Sequence, residues 1–360
     1  QIEQDADGVT LHCRRADGTP VEVRAPYAIV AAGSAPRELR HQLGVSFNGR
    51  SFDDKFLICD IRADLPGWER ERRFYFDPEW NPGRQVLIHP CPDSTFRIDW
   101  QVPGDYDIEQ EEASGALDAR IRQIIGDKPY EIVWKSVYRF HSRMVDRMRV
   151  GRVLLAGDFA HIVSPFGARG LNTGVMDAEN AAWKLAFVLR GWASDALLDS
   201  YDSERCAASR ENIEVTGHTM DFLVPHTEEQ HRIRVERLTA ALTDPSVHPQ
   251  IDSGRLSEPF WYVDSPLTTP DPAHPFAGRP PRGHVPPPAP GVVLPDVPVR
   301  IEGMDCTRLR QVARDGLLLL AGSAVDLAVL HEQVQGATGA PLRTRRIADI
   351  DAEGALQQAL

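Results

Sequence analysis

Between Gly151 and Gly191 the chain runs GRVLLAGDFAHIVSPFGARGLNTGVMDAENAAWKLAFVLRG, and no other stretch restricts the fold as tightly. Four apolar residues, Val153 to Ala156, read as a short buried strand. A Gly157-Asp158 turn follows, then a loop rich in proline and glycine, then a long helix with one apolar face. Strand, glycine loop and helix N-terminus in that order gather backbone N–H groups and the positive end of a helix dipole at one point. Such a point suits an electron-rich or anionic part of a ligand. Asp158, at the mouth of the strand, is placed to accept hydrogen bonds from hydroxyl groups.

The rest of the chain sets boundaries. At 360 residues one or two domains are expected, and 26% charged with 42% hydrophobic residues is ordinary for a globular protein. Forty basic against fifty-two acidic residues give a net charge of −12, which argues against a nucleic-acid partner. Five widely spaced cysteines (Cys13, Cys59, Cys91, Cys206, Cys306) contain no CxxC, so a disulfide framework or structural zinc is not expected and a cytoplasmic location fits. No apolar run is long enough to span a bilayer. Oligomeric state is not encoded in any motif, and a homodimer stays open.

Residues 9–30 alternate around a turn at Ala16-Asp17-Gly18, predicting a hairpin that leads into a buried strand at Tyr27–Ala31. From about Ser51 to Val145 the texture is antiparallel β, interrupted by an amphipathic helix around Glu109 to Ile125. Helices are expected over Thr173–Arg190, Asp199–Phe222 and Glu228–Leu242, the first closed by Gly191. Residues 259–298 are dense in proline and predict an extended connector. Beyond it, PVRIEGM, a strand-like Gly316–Ala321 and a helix near Val325–Gln335 suggest a small α/β unit.

The segment after Gly151 resembles a flavin-contacting motif of the single-component, FAD-dependent aromatic hydroxylases, the group that includes phenol and hydroxyphenylpropionate hydroxylases. Their pattern G-R-V-x-L-x-G-D-A-A-H, P-x-G-G-x-G-x-N-x-G, D-A-x-N-L-A-W-K-L-A is matched at Gly157, Asp158, His161, Pro165, Gly167, Gly170, Asn172, Gly174, Asp177, Asn180, Trp183 and Lys184. The resemblance implies a discontinuous Rossmann-like FAD-binding domain (1–50 and 149–258). An antiparallel substrate domain (51–148) would be inserted in it, and a thioredoxin-like α/β unit (299–360) would follow the connector. It also implies catalysis in which NADPH or NADH reduces FAD, O2 adds at the flavin C4a, and the hydroperoxide hydroxylates a small aromatic substrate. The alternatives are a related oxygenase, acting by epoxidation or polyketide tailoring, and a non-catalytic scaffold that keeps the fold.

By the same resemblance Asp158 would accept from the ribityl hydroxyls of FAD; Pro165, Gly167 and Gly170 would let backbone run close to the isoalloxazine ring, and Gly157 would also belong to the cofactor-binding set. N–H groups of Gly170, Leu171 and Asn172 would face the flavin N1–C2=O edge, where reduced flavin is negative. His161 is a candidate for catalytic work or a packing residue. Arg169 either strengthens the positive field or points to solvent, while Asp177, Asn180, Trp183 and Lys184 anchor the helix, with Leu189 in the core. Two features depart from the family. No GxGxxG occurs, so the sequence reads as a piece of a longer protein. The acidic residue of the family's D-G-x-x-S-x-V-R motif is Ala32, followed by Gly33 and, one position out of step, Arg40. Substrate-facing side chains are sought among Phe74, Phe76, His89, Phe96 and Trp100, with strand alternation sending about half of them to the opposite face.

Overall fold

The computed structural model describes residues 1–251, 258–281, 284, 286–303 and 308–360. The predicted hairpin forms part of a three-stranded meander, β1 (Ile2–Gln4), β2 (Val9–Arg14) and β3 (Pro20–Ala25), with Asp17 Oδ1 accepting the Thr19 N–H in the turn. The apolar Ala-Ile-Val run becomes β4 (Ala28–Val30), and the basic segment after it forms α1 (Arg37–Gln42).

The alternating region then builds five strands of a six-stranded sheet, β5 (Phe47–Ala63), β6 (Arg73–Phe76), β7 (Gln85–Cys91), β8 (Thr95–Val102) and β9 (Tyr130–Val145). Between β8 and β9 lie α2 (Ile108–Ala113) and α3 (Ala116–Ile125). The single helix expected over 109–125 is therefore two, because Gly115 sits between them at φ +79°, a conformation that breaks α-helical continuity. Asp107 caps α2 by accepting the N–H groups of Glu109 and Gln110 at 2.9 and 3.2 Å. Asp107→Ala is expected to cost about 1 kcal/mol, readable as a small fall in the thermal midpoint.

Two short strands return the chain to its start: β10 (Arg149–Val150) and β11 (Val153–Leu155). All three residues of β11 are buried, and the strand pairs in parallel with β4, Val153 opposite Ala28 and Leu155 opposite Val30. A two-residue strand, β12 (His161–Ile162), then joins the edge of the six-stranded sheet, whose order is β12-β9-β5-β8-β7-β6. Five residues thus carry the chain from one sheet to the other. The helices that follow are α4 (Gly170–Leu189), α5 (Leu197–Leu223), α6 (Glu228–Ala241) and the short α7 (His248–Ile251). Among the described residues no helix is long and apolar enough to cross a membrane.

The hydrophobic interior follows this layout. One core joins β4 and β11 to α4 and α5, through residues such as Leu154, Phe159, Ala181 and Tyr201. A second lies on one face of the six-stranded sheet, where Trp100 and Ile98 meet Leu117 and Ile121 of α3. A third, rich in phenylalanine, lies on the opposite face and includes Phe56, Phe166 and Met220. Leu189, expected inside, is exposed near the end of α4, while Leu185 and Val188 on the same helix pack against the core.

No helix or strand occurs among the described residues of 259–298, yet the stretch is not a free spacer. Arg279 pairs with Glu211 and Glu258, and Tyr262 and Ser265 bond to residues of α4 and α5. The C-terminal unit comprises α8 (Leu309–Ala313), β13 (Leu317–Ala321), α9 (Leu327–Ala337), β14 (Leu342–Arg346), α10 (Ile347–Ile350) and α11 (Ala355–Ala359). β13 and β14 pair in parallel across α9. Among the described residues the PVRIEGM segment makes isolated bridges, Pro298 with Arg308 and Val299 with Asp351. Its Met304, and Cys306, lie outside the described residues.

Candidate functional site

Once β11 ends, Ala156 N–H donates to Val30 O at 3.0 Å and Gly157 adopts φ +59°, a left-handed conformation that starts a one-turn 3-10 helix over Gly157–Phe159. The turn buries Phe159 in the core and leaves Asp158 exposed. Further on, Gly167 at φ +89° and Ala168 at φ +54° reverse the loop just before α4. Between them and Pro165, Phe166 turns inward to meet Phe56 and Phe140, both with ring centroids 6.0 Å away. Pro165, Leu171 and Asn172 are exposed, Gly157 and Gly170 half-buried, and Gly167 buried. Leu171 keeps 82% of its surface open. No side chain caps α4, so the N–H groups of its first turn carry the positive end of a helix of 20 residues without a side-chain acceptor.

His161 does not reach this surface. It is 1% exposed, and its Nε2 lies 2.6 Å from Asp177 Oδ2. Asp177, fully buried, also accepts the Gly157 N–H at 2.9 Å and the Arg205 Nε–H at 2.7 Å. Burial pushes the Asp177 carboxyl up, but the hydrogen bond and charge of His161, the Arg205 charge and the Gly157 N–H outweigh it and hold it below the usual carboxylate value. A second buried pair adjoins, Lys184 Nζ to Glu204 Oε2 at 2.5 Å, with Asn180 donating to the same oxygen at 2.7 Å. Asp177, Asn180 and Lys184 thus face α5 from inside the protein. Arg169 points neither to solvent nor to the open surface: it is 2% exposed and donates to Asn212 Oδ1 at 2.7 Å.

Arg40 ties the turn after β4 to the turn after β11. Its Nε donates to Phe159 O at 3.0 Å, its Nη2 to Ser34 O at 2.9 Å, and its guanidinium lies over the rings of Phe47 and Phe159. Beside it opens a cleft of about 800 Å³, lined by Arg37, His41, Ser51, His141 and Arg143 among others, with no carboxylate in its wall. Arg143 Nη2 donates to Ser51 Oγ at 3.0 Å, and His141 Nδ1 lies 2.8 Å from the same oxygen. Burial and the charges of Arg143, Arg139 and Arg37 lower the His141 pKa from its ordinary value, which keeps the ring neutral at pH 7. In a chain of net charge −12, this is a local concentration of positive charge.

Alternation divides the five aromatic and histidine candidates of the sheet. Phe74 and Phe76 join the phenylalanine cluster around Phe166, and His89 lies 3.4 Å from Asp99. Phe96 and Trp100 lie on the other face, packed in the core beneath α3. Sequence reasoning missed Glu204, Arg205 and Tyr262. A signal was available: Asp177, Asn180 and Lys184 form a polar i, i+3, i+7 stripe, and such a stripe inside a packed helix pair requires partners of matching charge.

Comparison with known proteins agrees with this geometry. Residues 1–216 match the family described as FAD binding domain. The chain is 32% identical over 248 residues to a 3-(3-hydroxy-phenyl)propionate/3-hydroxycinnamic acid hydroxylase of Comamonas testosteroni, covering 68% of this chain and 41% of that protein. It is 36% identical over 231 residues to a putative polyketide hydroxylase of Streptomyces coelicolor, covering 57% and 33%. The chain therefore spans less than half the length of these curated relatives. Among solved structures, aklavinone-11 hydroxylase in ternary complex with FAD and aklavinone aligns with a TM-score of 0.68 and 26% identity, over 99% of this chain and 65% of that one.

Proposed function

Because the chain belongs to the FAD binding domain family, we propose that it serves a FAD-dependent monooxygenase that hydroxylates a phenolic or other aromatic ring with NAD(P)H and O2. The observation that carries this reading is the open surface formed by the Gly157–Asp158 turn, the 165–169 loop and the uncapped N-terminus of α4. The residues present fit the ribityl and isoalloxazine portions of FAD. Asp158 is a free-standing carboxylate for ribityl hydroxyls, and Gly157, Pro165, Gly167 and Gly170 offer backbone to the ring. The first turn of α4, with Leu171 and Asn172, presents N–H groups to its pyrimidine edge.

Bound FAD would supply the redox and oxygen chemistry. The chain's own residues bind, orient and exclude water. The positive end of α4 favours the anionic form of a reduced flavin, and Phe166 closes the loop against the six-stranded sheet. The basic cleft at Arg37, His41 and Arg143 supports a phosphate-bearing pyridine nucleotide as reductant. Within this reading β4 and β11 belong to a discontinuous flavin-binding domain, since they pair across the whole inserted sheet of 51–148. The β13-α9-β14 unit supports a thioredoxin-like appendage. A cytoplasmic location accords with the four free cysteines among the described residues.

One observation favours a polyketide-type, uncharged substrate over a carboxylate-bearing one. On the sheet face that carries Phe56 and Phe74, Arg84 is paired with Asp54 and Arg97 with Asp60, so neither is free to hold a substrate carboxylate.

The test is a visible absorbance spectrum of the chain with added FAD. A resolved, shifted flavin band that survives gel filtration is expected, followed by NAD(P)H oxidation stimulated by an aromatic substrate. Flavin retention without any turnover, in a form extended by a GxGxxG segment, would point to the scaffold reading.

A further inference from the structure

The buried pair Asp177–Arg205 stands between two separate parts of the chain. On one side, Asp177 Oδ2 accepts the Gly157 N–H at 2.9 Å, and Arg205 Nη2 donates to Thr173 O in the first turn of α4 at 3.2 Å. These two bonds hold the two walls of the open surface, the 157–159 turn and the α4 N-terminus. On the other side, Arg205 Nη1 donates to the hydroxyl of Tyr262 at 3.0 Å, and Asn180 Nδ2 donates to the same oxygen at 3.3 Å. Tyr262 comes from the proline-dense stretch, whose composition alone suggests a passive connector.

We propose that Tyr262 is a positioning residue for the 157–159 turn and the first turn of α4, acting through Arg205 and Asp177. This rests on the reading of that surface as the flavin site. The path has three links, and its ionic members are dry: Asp177 and Arg205 are 0% and 1% exposed. In such a setting a hydrogen bond is strong and its loss is not made good by water. The guanidinium is planar and presents donors in fixed directions. When the Tyr262 oxygen holds Nη1, the plane of Arg205 is set, and with it the aim of Nε at Asp177 and of Nη2 at Thr173. A stretch that follows the helices is thereby coupled to the placement of Asp158, with which it shares no direct contact.

Tyr262→Phe removes the one oxygen and keeps the ring, which packs edge-on against Phe260. Arg279→Gln is the control: it loosens the same stretch from Glu211 and Glu258 but lies off the path. In the FAD-free chain, amide hydrogen exchange of the 157–161 peptide is expected to speed up several-fold in Tyr262→Phe and not in Arg279→Gln. In the FAD-bound form, Tyr262→Phe is expected to raise the FAD Kd about tenfold, the size of one lost hydrogen bond to a charged group, and to change the visible circular dichroism of the flavin. Unchanged exchange at 157–161 in Tyr262→Phe overturns the proposal. So does an equal response in both variants, which would mean that the stretch only stabilises the fold. A chain that shows the exchange difference but takes up no FAD, even when extended by a GxGxxG segment, upholds the coupling and instead removes the flavin reading.

Discussion

Asp177→Ala is expected to destabilise the protein by about 3–5 kcal/mol, the range for breaking a fully buried ion pair by removing one partner. Three groups lose their acceptor at once: the Arg205 guanidinium, the Gly157 N–H and the His161 Nε2. Arg205, at 1% exposure, has no water to replace the carboxylate and stays charged, so the penalty is not relieved by deprotonation. Chemical denaturation of the two forms reads it directly. A loss below about 1 kcal/mol would show that the cluster is wet or slack. The same carboxylate gives a pH dependence. Its folded pKa lies below the ordinary aspartate value of about 3.9, so its stabilising contribution is complete above that value and is lost as the pH falls through the lower, folded one. Wild-type stability should therefore fall more steeply with acid than that of Asp177→Ala.

Asp158→Ala is expected to do the reverse, leaving the fold alone and removing the ligand. The side chain is exposed, so stability should change by no more than about 0.5 kcal/mol. In a flavin-retaining form the FAD Kd should rise by one to two orders of magnitude, about 1.5–3 kcal/mol, because a charged acceptor for ribityl hydroxyls is lost. Flavin content after gel filtration, compared with the thermal midpoint, separates the two effects. Equal flavin in mutant and wild type would remove Asp158 from the site. Together the pair of substitutions distinguishes the outer turn, proposed to meet the ligand, from the inner carboxylate, which accepts the turn's Gly157 N–H.

Two neighbouring acidic residues thus have opposite duties, and the reason lies in how much of each is local. The strand-loop-helix order around Asp158 could be read directly, because a run of apolar residues, a Gly-Asp turn and a Pro/Gly loop act on the backbone within a few positions of themselves. The hairpin at Asp17-Gly18 and the long helices were legible for the same reason. The break at Gly115 was not, since an amphipathic pattern continues across it and the left-handed φ of Gly115 is a property of the folded backbone.

Side-chain roles split along the same line. Position in the chain assigned Gly157, Asp158, Pro165, Gly167, Gly170, Leu171 and Asn172 to one loop and one helix start, and local backbone chemistry was enough to bring all but the buried Gly167 toward the surface. His161, Arg169 and Arg40 could not be placed that way. Their partners, Asp177, Asn212 and the Phe159 carbonyl, come from α4, from α5 and from a turn more than a hundred residues away. Local sequence dictates turns and helix ends through backbone sterics and hydrogen bonding over short spans. Which polar group is buried against which is a matter of desolvation, and that is settled only when α4, α5 and the 258–279 stretch close on one another and exclude water.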